Sequence, residues 1–196
     1  MNSSLRGDAV HNRHRIMQAA RDLFAVEGLR PNLNDVARHA GVGVGTVYRR
    51  FATKEALLDV IFEDVLNQLG VAAEEALSND PWHGFAGFVE RMCELSVHDR
   101  GLRDIAFSED YGGPVVRAAR ARLGVALGRL VDRTKSSGRL RNEVSHHDLN
   151  VIGLLVDTVS DFAGQVEGPA WRTYMATVLD GMQVRRVRKG LHPDTG

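Results

Sequence analysis

From residue 13 to residue 182 apolar side chains return every third or fourth position, and no stretch alternates with the two-residue period of a strand. Ile16, Ala20, Leu23 and Phe24 mark a first helix that ends at Gly28. Leu33, Val36, Ala37 and Ala40 mark a second, stopped by Gly41. Val44, Val47 and Phe51 fall together on a short third helix over residues 44–51 and are expected to point inward. Leu57, Leu58, Ile61, Phe62, Val65, Leu66 and Leu69 make a wide stripe on a fourth, running to about Leu77. After the break at Ser78, Asn79, Asp80 and Pro81, a fifth helix carries Trp82, Phe85, Phe88, Val89, Met92 and Cys93. Residues 101–109 read as a short helix with Leu102, Ile105, Ala106 and Phe107, and residues 111–114 as a loop. Residues 115–136 follow as a long helix with Val116, Leu123, Leu127, Leu130 and Val131 inward and five arginines outward. The eighth, with Val151, Ile152, Leu154, Leu155, Val156, Val159 and Phe162, is apolar almost all round and so buried on more than one side. Gly168 and Pro169 open the last, whose stripe is Trp171, Tyr174, Met175, Val178, Leu179 and Met182. The fold class is all-α: a three-helix N-terminal head and a larger C-terminal helical bundle, about nine helices in total.

The head has helix-turn-helix chemistry. Asn32 can cap the second helix, with Asp35 three residues on reaching back to it. Gly41 supplies the left-handed residue of the turn. On the third helix Gly45, Thr46 and Arg49 lie opposite the inward face, flanked by Tyr48 and Arg50. One small residue, one hydroxyl and one guanidinium suit a DNA major groove, where an arginine can grip guanine with two hydrogen bonds. Gly43 and Val44 open that helix, Asn32 and Asn34 open the one before it, and all four are counted among the DNA-binding residues. Thr53 can cap the fourth helix, leaving Lys54 beside free backbone N–H groups that suit a phosphate. Arg13 and Arg15, at the start of the first helix, are expected on phosphates too. Residues 1–11 are polar, and Arg6 and His11 belong either to an arm along the duplex or to a free tail.

The string A-G-V-G-V-G-T-V-Y-R-R-F-A-T-K-E-A-L-L, residues 40–58, resembles the DNA-binding domain of TetR-type transcriptional regulators. The resemblance covers about residues 10–69. It implies a division into a DNA-binding head (1–54), a ligand-sensing and dimerisation domain (55–190) and a tail (191–196). It also implies a homodimer on a palindromic operator in double-stranded DNA and a fourth helix that transmits effector binding to the head. Two positions depart from the family pattern: Leu33 stands where threonine is frequent and Arg50 where histidine is frequent. The first removes a usual contact that Asn32 or Asn34 must replace; the second leaves the operator sequence open.

Charge sharpens this division. Residues 1–54 carry 9 Arg and Lys against 4 Asp and Glu, and residues 55–196 carry 16 against 21, so a net charge of zero hides a basic head on an acidic body. The single cysteine, Cys93, allows no internal disulfide and reads as a buried thiol. No apolar leader opens the chain and no run approaches the roughly 18 apolar residues of a membrane span. A cytoplasmic protein without membrane partner is expected.

No G-x-S-x-G, Walker loop, H-E-x-x-H or cysteine pair points to an enzyme, a metal or a cofactor. His146, His147 and Asp148 are read as polar residues at a helix start, with Ser145 as its cap. By resemblance, a small apolar or amphipathic effector would enter a pocket walled by Phe85, Phe88, Met92, Phe107, Tyr111, Leu123, Leu127 and Leu154. Asp157 and Asp161 either face a basic ligand there or lie exposed and paired with arginines. The two C-terminal helices are expected to pair with those of a second subunit through Val151, Leu155, Val159, Phe162, Trp171, Tyr174, Met175, Val178 and Met182. The function implied is a homodimeric repressor released by its effector. Two alternatives stay open: the same head on a body that docks another protein or activates, and a helical small-molecule-binding or catalytic protein.

Overall fold

A computed structural model describes residues 2–106, 112–163 and 170–184. Phe107 and Tyr111 lie outside the described residues, as do the tail beyond residue 184 and the side chains of Arg6, His11, Asp157, Asp161 and Phe162. Among the described residues there are nine helices: α1 (Asn2–Glu27), α2 (Leu33–Ala40), α3 (Val44–Arg50), α4 (Lys54–Ala76), α5 (Pro81–His98), α6 (Arg100–Ala106), α7 (Pro114–Ser136), α8 (His147–Ala163) and α9 (Ala170–Met182). None is long and apolar enough to cross a membrane.

Helix α1 begins at Asn2, eleven residues before the expected start. That stretch has no proline, and its one glycine costs a helix only about 1 kcal/mol, so the helix propagates back through polar sequence. The expected caps form. Asn32 Oδ1 accepts from the N–H groups of Asn34 (2.8 Å) and Asp35 (3.2 Å), and Asp35 accepts in return from the Asn32 N–H (2.9 Å). Thr53 Oγ1 accepts from the Ala56 N–H at 3.1 Å. At α8 the roles differ: Asp148 receives both the Ser145 N–H (2.6 Å) and the Ser145 hydroxyl (2.9 Å), so the carboxylate rather than the serine closes the helix start.

Two apolar clusters form. The head cluster joins Ile16, Ala20 and Phe24 of α1, Val36 of α2, Val47 and Phe51 around α3, and Leu57, Leu58, Ile61 and Phe62 of α4. It also takes in Leu102 of α6 and Val116 of α7, which sequence spacing did not connect with it. The body cluster gathers Leu69 and Ala73 of α4 with Phe85, Phe88, Val89, Leu130, Leu149, Ile152, Trp171 and Leu179. Val65 touches both. Helices α4 and α7 run side by side in parallel. Arg122 reaches Asn67 (2.9 Å), Arg129 reaches Glu74 (2.7 Å) and Arg133 reaches the Asn79 carbonyl (2.8 Å), at nearly constant spacing. Where α5 crosses the end of α4, a Cβ on Gly84 would stand 2.3 Å from the Ala76 carbonyl oxygen, so only glycine fits.

One element had no sequence signal. Leu140 and Gln183 form an isolated antiparallel bridge that ties the α7–α8 connection to the end of α9. Two residues are too few to show an alternating pattern.

Candidate nucleic-acid interface

Helices α2 and α3 meet at Gly41, whose φ of 62° is left-handed and whose N–H, with that of Val42, bonds back to the end of α2. Arg15 holds this turn from α1: its Nη2 donates to the Ala40 carbonyl at 2.6 Å and the Gly41 carbonyl at 3.2 Å. A cation on the last carbonyls of a helix also answers the negative end of its dipole. Arg15, expected on a phosphate, thus has an internal partner that aims α3.

On α3, Val47 and Phe51 are buried in the head cluster, while Gly45, Tyr48, Arg49 and Arg50 are exposed and Thr46 is half-buried. Val44 corrects the expected inward trio: it is 45% exposed. The first helical residue projects beyond the packed face, and Val42 in the turn takes the inward place instead, half-buried against the head cluster. Arg49 Nη2 donates to Thr46 Oγ1 at 3.3 Å, one helical turn back. Gly45 has open space where its Cβ would be, with nothing within 4 Å. Its small size therefore serves nothing inside the chain.

Around this face Asn34 is exposed, Arg13 is half-buried, and Gly43 caps α3 without a side chain. Asn32 uses its oxygen as a cap, which leaves its amide N–H2 as a donor. The Lys54 ammonium donates to the Leu29 carbonyl and lies 5.9 Å from the centre of the Phe24 ring. Like Arg15, it is fastened within the protein. Leu29 is held from the other side by Asp104 of α6, which accepts its N–H at 3.0 Å. No motif marks Asp104; its partner lies 75 residues away in sequence.

In the body, Phe85, Phe88 and Leu127 are buried, and Met92 and Leu123 pack half-buried on the same cluster. Leu154 is not among them: at 48% exposure it stands on the outer face of α8 beside Val151 and Leu155. On α9 the expected interface divides. Tyr174 is 58% exposed, but Trp171 and Met175 are buried in the body cluster, with Val178 and Met182 half-buried against it, as is Val159 of α8. An amphipathic stripe shows that a face is covered, not which neighbour covers it, and here α9 turns Trp171 and Met175 onto its own subunit. The His146 and His147 rings lie 4.0 Å apart at the start of α8. Among the described residues no three His, Cys, Asp or Glu side chains gather as metal ligands would.

Residues 16–61 match the family profile of bacterial regulatory proteins, tetR family. An HTH-type transcriptional regulator of Staphylococcus aureus strain bovine RF122 / ET3-1 is 39% identical over 64 residues, covering 32% of this chain and 35% of that protein. The chain thus spans about a third of the length of the curated relatives it matches. A TetR transcription regulatory protein from Mycobacterium vanbaalenii is similar in structure over 92% of this chain and 99% of its own, with a TM-score of 0.63 and 29% identity. The TetR transcriptional regulator SCO0520 from Streptomyces coelicolor gives 0.58 and 27% over 89% of this chain and 99% of its own.

Proposed function

Because its helix-turn-helix head belongs to the tetR family of bacterial regulatory proteins, we propose that this chain is a sequence-specific DNA-binding transcriptional regulator. The observation that carries the reading is the outward face of α3. Gly45, Thr46, Tyr48, Arg49 and Arg50 stand clear of a base of buried Val47 and Phe51. The glycine opens a path for close approach, and Arg49 offers a guanidinium to a base edge. Asn34, Arg13 and the free donors of Asn32, Arg15 and Lys54 flank it as phosphate contacts.

The working form is a homodimer on a palindromic operator, because one head of this size binds too little DNA to hold at physiological salt. Val151, Leu154, Leu155 and Thr158 recur along exposed positions of α8 at helical spacing, and Tyr174 of α9 is exposed as well. That surface supports pairing with a second subunit. Repression in the cytoplasm, relieved by a small apolar or amphipathic effector entering near Phe88, Met92 and Leu123, completes the proposal. A helix shared by the head and body clusters supports it.

The test is a gel shift on a duplex that the chain selects from a random-sequence pool. Affinity falls by about a thousandfold between 50 and 200 mM salt if two heads neutralise roughly six phosphates or more. Arg49→Ala flattens the preference for the selected duplex over a scrambled one. A chain that selects no sequence, or an R49A variant with its preference intact, overturns the assignment.

A further inference from the structure

We infer that Asp104 is a positioning residue for DNA binding, by which the body fixes the backbone that fixes Lys54; this rests on the proposed reading of the head as a DNA-binding module. Helix α6 lies on the end of α1 and on the turn that follows it. Leu102 of α6 is buried in the head cluster. Beside it, a Cβ on Gly101 would stand 3.0 Å from Phe24 Cβ and 3.1 Å from the Phe24 carbonyl oxygen, so the α6 backbone lies directly on α1. One helical turn on, Asp104 accepts the Leu29 N–H at 3.0 Å. Gly28 makes room for that carboxylate: its φ is 64°, and a Cβ there would be 2.5 Å from Asp104 Oδ2.

Leu29 is therefore gripped at both of its polar groups. Its N–H meets an anion and its carbonyl oxygen meets the Lys54 ammonium. Charge-assisted bonds of this kind are about twice as strong as neutral ones, and bonds in a chain polarise one another. An ammonium has three N–H groups. The Leu29 carbonyl takes one, which leaves two for a phosphate at the N-terminus of α4. Without Asp104, residues 28–31 lose their anchor on α6, and the ammonium must be ordered again when DNA binds. Asp104 touches no DNA in this scheme; it acts through Leu29 and Lys54.

The experiment uses the full chain, the duplex it selects from a random-sequence pool, and a scrambled duplex of equal length. Asp104→Ala weakens binding of the selected duplex about ten- to a hundredfold, the range expected for one hydrogen bond to a charged group. Asp104→Asn keeps an acceptor oxygen and restores most of the loss. In a Lys54→Ala background, removing Asp104 changes affinity less than twofold, because the two residues act as one unit. The slope of log affinity against log salt drops by about 1.8 in Lys54→Ala, one phosphate for each of the two heads, and by part of that in Asp104→Ala. A role confined to stability predicts losses that multiply in the double variant and a salt slope that does not move, and either result overturns the inference. If the parent chain selects no duplex, the DNA-binding reading falls and takes the inference with it. If it selects one and the variants behave independently, the inference alone falls.

Discussion

Asp59 of α4 presents both carboxylate oxygens to the N–H of Gly113, at 3.1 and 3.2 Å, just before the first residue of α7. The contact leaves no space for a side chain at Gly113, where a Cβ would come within 2.4 Å of Asp59 Oδ2. It also sets a negative charge at the positive end of α7, whose cap has no side-chain bond of its own. Asp59→Ala should lower stability by about 1 kcal/mol, a few degrees in thermal midpoint for a chain of this size. Asp59→Asn, which still accepts, should lower it less. Melting followed by circular dichroism distinguishes the two; equal midpoints for both variants and the parent would show that the contact carries no stability.

Gly45→Ala should move stability and DNA binding in opposite directions. A helical glycine replaced by alanine gains about 0.5–1 kcal/mol, and here the new Cβ meets nothing within 4 Å. On a duplex the same methyl stands between backbone and groove. The expected outcome is a raised melting temperature with weakened binding of the selected duplex. Unchanged affinity would remove Gly45 from the interface.

The exposed and buried halves of the C-terminal pair should separate cleanly. Leu154→Glu and Leu155→Glu place charge on half-exposed positions, so the fold persists while sedimentation shifts from dimer to monomer. Trp171→Ala instead empties a buried site, 7% exposed, and should cost about 3–5 kcal/mol of folding stability. A monomeric parent in sedimentation would refute the pairing of this face.

Two bonds from Ser145 hold the Asp148 carboxyl below its usual range, the backbone N–H contributing most and the hydroxyl next. The folded state thus binds its proton less readily than the unfolded chain. The stabilisation is complete above the ordinary aspartate pKa of about 3.9 and is lost as pH falls through the lowered value. Asp148→Asn should narrow the gap between midpoints at pH 6 and pH 3. Parallel acid limbs for parent and variant would contradict this.

Gly84→Ala forces a Cβ towards the Ala76 carbonyl oxygen, a backbone atom that cannot swing aside. A loss of about 1–3 kcal/mol is expected, measured by denaturant unfolding. Gly87, one turn on and unobstructed, is the control and should tolerate alanine.

The local grammar of the chain was readable wherever neighbours in sequence are neighbours in space. Asn32 with Asp35, Gly41, Thr53 and the stripe of α2 needed only spacing and side-chain chemistry. Partner choice was not readable. Leu154 and Trp171 exchanged sides because an apolar helix and an apolar stripe do not say which surface they cover. Arg15 and Lys54 have a basic residue's usual claim on phosphate, yet each also finds carbonyl oxygens 25 or 26 residues away. Asp104 carries no local signal, since its meaning lies in a glycine turn far upstream. The face of α3 was legible except for Val44, where the end of a helix escaped its own periodicity.

Val65 sits where the two apolar clusters adjoin, midway along a helix of 23 residues that furnishes part of each. No cut or local fraying near that point can spare one half of the molecule, because each half would lose a wall. Heated in a calorimeter, the chain is expected to absorb its unfolding enthalpy in a single peak, and a fragment ending near residue 62 to be far less robust than the whole.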